Sequence, residues 1–203
     1  HGFHIDWGAK KDDLVRLSRQ RRFPYYVDHA AGKGILHLTD DLRWNVIGKQ
    51  SLLVRPHSLA DPHTIETLKS LLRVNVGTTK KGLVYAYAFD DEISLGSFNN
   101  PAEVDTHPLS LAWYRRWLSH RYGTIQSLNT VWDTSYATFD EVKAVGFEEV
   151  RKSTSDFSFS KWNLSRWMEW RHFMDYQFAQ VLADLTRYTN NLDPLTPAGF
   201  VGG

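Results

Sequence analysis

Three carboxylates stand side by side in the stretch AYAFDDEIS, residues 86–94: Asp90, Asp91 and Glu92. They follow directly on residues 83–89, a run without a charged side chain. Like charges packed together repel, most strongly where water is scarce, so such a cluster is either solvated or has work to do. Acids held at fixed positions bind hydroxyl groups and give or take protons. Two further places have the same character: Asp6-Trp7 closes the short apolar run GFHIDWG, and Asp28-His29 closes PYYVDH. A single strand-end acid reads as a solvated loop residue. Three in succession, each beside an aromatic or imidazole ring, read as one shared site.

The elements that must position these residues alternate along the chain. A strand over 2–8 leads to a helix over 12–22, with Leu14 and Leu17 as its strong apolar anchors. A second strand over 25–28 runs into the small-residue stretch AAGKG, which reads as a flexible loop, and residues 35–56 have no regular pattern. Asp61-Pro62 then opens a helix, the acid as cap and the proline at the first helical position, with Ile65, Leu68, Leu72 and Val76 at helical spacing. Residues 82–89 form a third strand with Val84, Ala86 and Ala88 on one face and Tyr85, Tyr87 and Phe89 on the other. Both faces are then apolar, as in a parallel strand covered on each side. Helices over 108–122, 125–132 and 165–190 follow; the last carries an apolar stripe of Trp167, Trp170, Met174, Phe178, Val181, Leu185 and Tyr188. LTPAGFVGG begins a fourth strand. The alternation predicts an α/β fold with a parallel sheet, in which functional groups gather at the carboxyl ends of strands.

Composition narrows the function. A net charge of +1 gives no reason to expect nucleic acid or an anionic membrane as partner. The six basic residues of 10–22, interrupted by Asp12 and Asp13, read as the solvated face of a helix. Cysteine is absent, which removes disulfides, thiolate metal sites and cysteine nucleophiles. His1/His4 and His57/His63 lack an evident third metal ligand, no serine elbow G-x-S-x-G occurs, and AAGKG departs from phosphate-loop spacing. No metal or other cofactor is expected. Asn163-Leu164-Ser165 fits the glycosylation pattern, yet Ser165 at a helix start reads better as its cap. Aromatic residues make up 14% of the chain, and their rings suit both cores and stacking on sugars.

VYAYAFDDEIS, WYRRWLSHRYGTIQSLNTVWDTSYATFDEV and WNLSRWMEWRHFMDYQFAQVLADL together resemble glycoside hydrolase family 42, the β-galactosidases of clan A. Trp117-Leu118, Tyr122-Gly123-Thr124, Leu128-Asn129, Trp132 and Thr134 follow the family's helix pattern in order. The resemblance implies a partial (β/α)8 TIM barrel, about strands 2 to 5 with their helices, residues 1–203 being a segment of one catalytic barrel. It implies a retaining β-glycosidase for β-linked galactosides or related glycans, with Glu92 as general acid/base. Asp91, Asp90, Asp28, His29, Asp6 and Trp7 would line the sugar site.

Two features depart from the family. Asp91 stands where the family has Asn, so it accepts from a sugar hydroxyl without donating, and its charge favours a protonated Glu92. Strict alternation would turn Asp91 away from the site, which calls for a bulge at the strand end. The family's nucleophile, a Glu on the seventh strand, is expected outside this chain, since a barrel needs about 250 residues. The expected partners are therefore a carbohydrate substrate and the remainder of the barrel, as a continuation of the chain or a companion fragment. A non-catalytic sugar-binding descendant, or a structural α/β domain with decorative acids, are the alternatives.

Overall fold

Among the described residues four strands, β1 (Phe3–Ile5), β2 (Tyr25–Val27), β4 (Val84–Asp91) and β6 (Ala198–Val201), hydrogen-bond side by side in that order, every neighbouring pair parallel. The computed structural model describes residues 3–5, 11–37, 52–91, 93, 103–152 and 162–201. Their elements are β1 (Phe3–Ile5), α1 (Lys11–Arg21), β2 (Tyr25–Val27), β3 (Leu52–Leu53), α2 (Pro62–Thr79), β4 (Val84–Asp91), β5 (Glu103–Val104), α3 (Pro108–Tyr122), α4 (Ile125–Trp132), a 3-10 turn (Phe139–Glu141), α5 (Phe147–Lys152), α6 (Ser165–Leu192) and β6 (Ala198–Val201). No described helix is long and apolar enough to cross a membrane. The chain divides into two compact units: His1–Thr39, Pro62–Ser94 and Ala179–Gly203 form the first, Asp40–Asp61 and Leu95–Phe178 the second.

The first unit holds the parallel sheet. Tyr25 and Tyr87 are enclosed on its helix side; the Tyr25 hydroxyl donates to the carbonyl of Thr79 in α2, and that of Tyr87 to Asp193 just beyond α6. Leu68, Leu72 and Val76 of α2 are fully buried, as their spacing predicts. Lys69 pairs with Asp184 at 2.7 Å and Arg73 Nε donates to the Tyr188 hydroxyl, joining α2 to the second half of α6. α1 turns a different face inward from the one its leucines suggest. Val15 and Ser18 are buried and Leu17 is exposed, because Ser18 Oγ accepts from the Leu83 amide at the entry to β4.

β4 also departs from simple alternation. Its register against β2 jumps from Tyr25↔Val84 to Tyr26↔Ala86. Tyr85 becomes the extra residue, leaves the Tyr87/Phe89 face and meets Tyr26 edge-on at 6.2 Å. Burial on both faces therefore holds from Tyr87 to Asp90, whereas Tyr85 is 49% exposed. A hollow of about 520 Å³ opens there, lined by residues that include Tyr26, Tyr85, Ala86, Ala88, Gly199 and Phe200. A second shift, from Ala88↔Gly199 to Asp91↔Val201, places three residues of β4 opposite two of β6. This is an irregularity at the strand end where the acids cluster.

The second unit is helical, with a two-stranded parallel pair, β3 and β5. Its helix ends follow local chemistry. Pro108 occupies the first turn of α3, Gly123 takes φ +72° after it, and the Thr124 hydroxyl accepts from the Ser127 amide to start α4. The core is aromatic: Tyr114, Trp170 and Phe173 are fully enclosed, with Tyr114 and Trp170 edge-to-face at 4.9 Å. The stripe on α6 includes a polar member that periodicity does not reveal, Gln177, which is buried and donates to Ser110 Oγ. At the start of α6 the cap is Asn163 rather than Ser165. Its side chain accepts from the Ser165 amide and donates to the Val131 carbonyl.

Candidate active site

Parallel strands deliver their carboxyl ends to one edge of the sheet, and in the first unit β2 and β4 are neighbours there. β2 does not simply stop at Val27. His29 adopts φ +50°, an uncommon conformation for a residue with a side chain. The chain then rejoins β4: the amides of Ala30 and Ala31 donate to the carbonyls of Ala88 and Phe89 at 2.8 and 3.0 Å. Asn75 of α2 donates to the Ala30 carbonyl from behind. The stretch AAGKG is thus packed, not loose, with Ala30, Ala31 and Gly32 buried. Gly32 and Gly34 take φ of 95° and 86°, a region costly for other residues.

This stitching brings Asp28, His29, Asp90 and Asp91 together. Asp90 is fully buried. Its Oδ1 accepts from the Asp91 amide at 2.9 Å and lies 3.5 Å from His29 Nε2. Its Oδ2 accepts from the Gly34 amide at 3.3 Å and lies 3.1 Å from His37 Nδ1. The other ring nitrogen of His29 is 3.4 Å from Asp28 Oδ2, while Asp28 Oδ1 accepts the His29 amide. The result is a chain of carboxylate, imidazole, carboxylate and imidazole, buried at His29 and Asp90 and part-exposed at Asp28 and His37. Asp91 and Asp28 are less enclosed than Asp90 and share a neighbour in Tyr26. Burial pushes the Tyr26 hydroxyl above its ordinary range, and the negative charges of Asp28 and Asp91 push it further. Two carboxylates beside a tyrosine hydroxyl are suited to receiving the hydroxyls of a polyol.

Sequence reasoning missed two members of this group. Tyr26 was detectable, since alternation puts it on the face of Asp28 two residues on. His37 carried no signal, because the loop that returns it to Asp90 has no period. Asp6, Trp7 and Glu92 lie outside the described residues. Among the described residues no group of three or more His, Asp or Glu is arranged to hold a metal ion.

The family model described as beta-galactosidase, glycoside hydrolase family 42, matches residues 55–198. The chain belongs to glycoside hydrolase family 42. No curated protein matches it. Among solved structures, the cold-adapted β-galactosidase of Rahnella sp. R3 aligns with TM-score 0.62 at 14% identity, over 96% of this chain and 30% of that one. The β-galactosidase of Bacillus circulans sp. alkalophilus gives 0.57 at 13%, over 97% and 35%. A family 42 exo-carrageenase from Bacteroides ovatus gives 0.54 at 16%, over 97% and 27%. This family 42 chain thus spans about a third of the length of these proteins, and its fold is part of a (β/α)8 barrel.

The helix pattern that carried the family resemblance has a structural explanation. Asn129 donates to the Tyr136 carbonyl and accepts from the Thr134 hydroxyl and the Tyr136 amide, tying the turn after α4. Trp132 is buried and donates through Nε1 to the Tyr122 hydroxyl. These residues build the second unit and take no part in the acid cluster.

Proposed function

We propose that the intact protein is a retaining β-glycosidase for β-linked galactosides or related glycans, and that residues 1–203 form a segment of its catalytic barrel. The observation that carries this reading is the end of β4, where in a family 42 chain Asp90 meets His29 from the end of β2, Asp28 and Asp91 both act on the Tyr26 hydroxyl, and Glu92 comes next in sequence. The similar solved structures are β-galactosidases and an exo-carrageenase, which supports the substrate class.

In this reading Glu92 is the general acid/base. A carboxylate nucleophile from the remainder of the barrel bonds to the anomeric carbon as the glycosidic C–O bond breaks. Glu92 gives its proton to the departing oxygen. The resulting Glu92 carboxylate then takes a proton from water as that water attacks the same carbon and frees the nucleophile. Asp91 and Asp28 accept hydrogen bonds from sugar hydroxyls, His29 and Asp90 belong to the same site, and Asp6 and Trp7 extend it from the end of the first strand. The segment needs the rest of the barrel, in the same chain or as a companion fragment, and by itself turns over nothing.

The test is turnover of an aryl β-galactoside by the intact native protein, with the anomer first released read by NMR. The wild type should release the β-anomer, and Glu92→Gln should lower kcat/KM for unactivated substrates by about 10²–10⁴-fold. An α-anomer, or a Glu92→Gln variant as fast as wild type, overturns the proposal. Tight galactoside binding without turnover by the wild type identifies a sugar-binding descendant instead.

A further inference from the structure

Asp90 is a poor candidate for touching a sugar. Its carboxylate is enclosed by four groups: the amides of Asp91 and Gly34, which donate to it, and the rings of His29 and His37, 3.5 and 3.1 Å away. The side chain has no exposed surface, whereas His37 is 14% and Asp28 12% exposed. What Asp90 does touch is informative. Through His29 and Gly34 it holds the loop after β2, whose His29 keeps a left-handed backbone that persists only where surroundings enforce it. Through its own neighbour's amide it holds the end of β4, at the register shift, one residue before Glu92 follows Asp91.

The geometry points to Asp90 as the positioning residue of the site: its carboxylate clamps the loop after β2 onto the end of β4 through His29 and His37, and so fixes Asp91, the residue that precedes Glu92 in the sequence. The inference rests on the proposed role of Glu92. It separates Asp90, which holds the machinery, from Asp91 and Asp28, which meet the substrate. Loss of the clamp shifts Asp91 and the acid that follows it, and misplacement of about 1 Å costs on the order of 10²-fold in rate.

The test compares kcat/KM of the intact native protein and its variants on two β-galactosides. One has a 2,4-dinitrophenyl group, which departs without a proton, and the other an alkyl alcohol, which requires one. Glu92→Gln sets the reference, with a large loss on the alkyl substrate and a small one on the activated substrate. Asp90→Asn should show the same selectivity, with about 10²-fold loss on the alkyl galactoside. His37→Ala, which removes one arm of the clamp, should show it to a smaller degree, and decides the matter where Asp90→Asn fails to fold. Equal losses on both substrates for Asp90→Asn and His37→Ala, or no loss, alongside a selective Glu92→Gln, mean that Asp90 only stabilises the fold, and the inference is overturned. A Glu92→Gln variant without selectivity removes the functional reading itself, and the clamp's role with it.

Discussion

Asp90 in the sheet unit and Glu169 in the helical unit are both buried carboxylates, yet they keep different company. Glu169 accepts from Arg121 Nε and from the Tyr122 hydroxyl, each at 2.9 Å, and Tyr122 in turn accepts from Trp132 Nε1. The enclosed Tyr114 lies nearby; burial pushes its hydroxyl far above the ordinary range, with Glu169 adding to the effect, so it stays neutral. Every partner of that acid is a permanent donor, and the network joins α3, α4 and α6 around an aromatic core. Asp90 instead faces two imidazoles and two backbone amides, beside carboxylates that solvent reaches. Burial of an acid therefore does not mark function. The partners distinguish the two acids: a cation and a hydroxyl hold Glu169, while Asp90 lies among imidazoles and backbone amides.

The comparison can be broken most forcefully at Glu169. Glu169→Ala removes the acceptor of the half-buried Tyr122 hydroxyl, while the exposed Arg121 turns to water, and should cost about 1–2 kcal/mol in the intact protein, read by chemical denaturation. Its kcat/KM, normalised to folded protein, should stay at the wild-type level, whereas Asp90→Asn loses rate selectively. A Glu169 variant with the leaving-group selectivity of Asp90→Asn would erase the distinction between the two acids.

A smaller effect sharpens it within the sheet unit. Tyr87 is held neutral by burial and donates to Asp193 at 2.8 Å. Burial alone would raise the Asp193 carboxyl, but hydrogen bonds from Tyr87, Thr196 and the Leu195 amide outweigh it and hold it below its ordinary value. A depressed carboxylate contributes stability that is present above the unfolded value near 3.8 and is lost as pH falls through the folded one. Tyr87→Phe should cost about 1 kcal/mol at neutral pH and flatten the fall in stability between neutral and acid pH. A variant with an unchanged acid limb would show that this bond contributes nothing to the pH dependence.

Much of the scaffold was legible because local chemistry fixes it. Pro108, Gly123 and Thr124 set the ends of α3 and α4 where their types predict, and Asp61-Pro62 marks the start of α2. The parallel strands, and the acidic ends of β2 and β4, were legible from hydrophobic runs. What stayed hidden depends on pairing between distant segments. β3 and β5 are two residues each and fifty apart, too short for any pattern. Tyr85 changed face because β2 and β4 slip in register, and Ser18, not Leu17, faces inward because an amide of another segment needs an acceptor. The clamp at Asp90 is hidden for the same reason: the return of Gly34 and His37 to β4 is a tertiary event with no local signature.

The most direct measurement is a crystal structure of the intact protein bearing Glu92→Gln, soaked with an uncleaved β-galactoside. The account predicts the sugar at the carboxyl ends of β2 and β4, with hydroxyls within about 2.5–3.2 Å of Asp91 or Asp28 and Asp90 still closed around His29 and His37. A sugar bound elsewhere, with that edge of the sheet left to solvent, would contradict it.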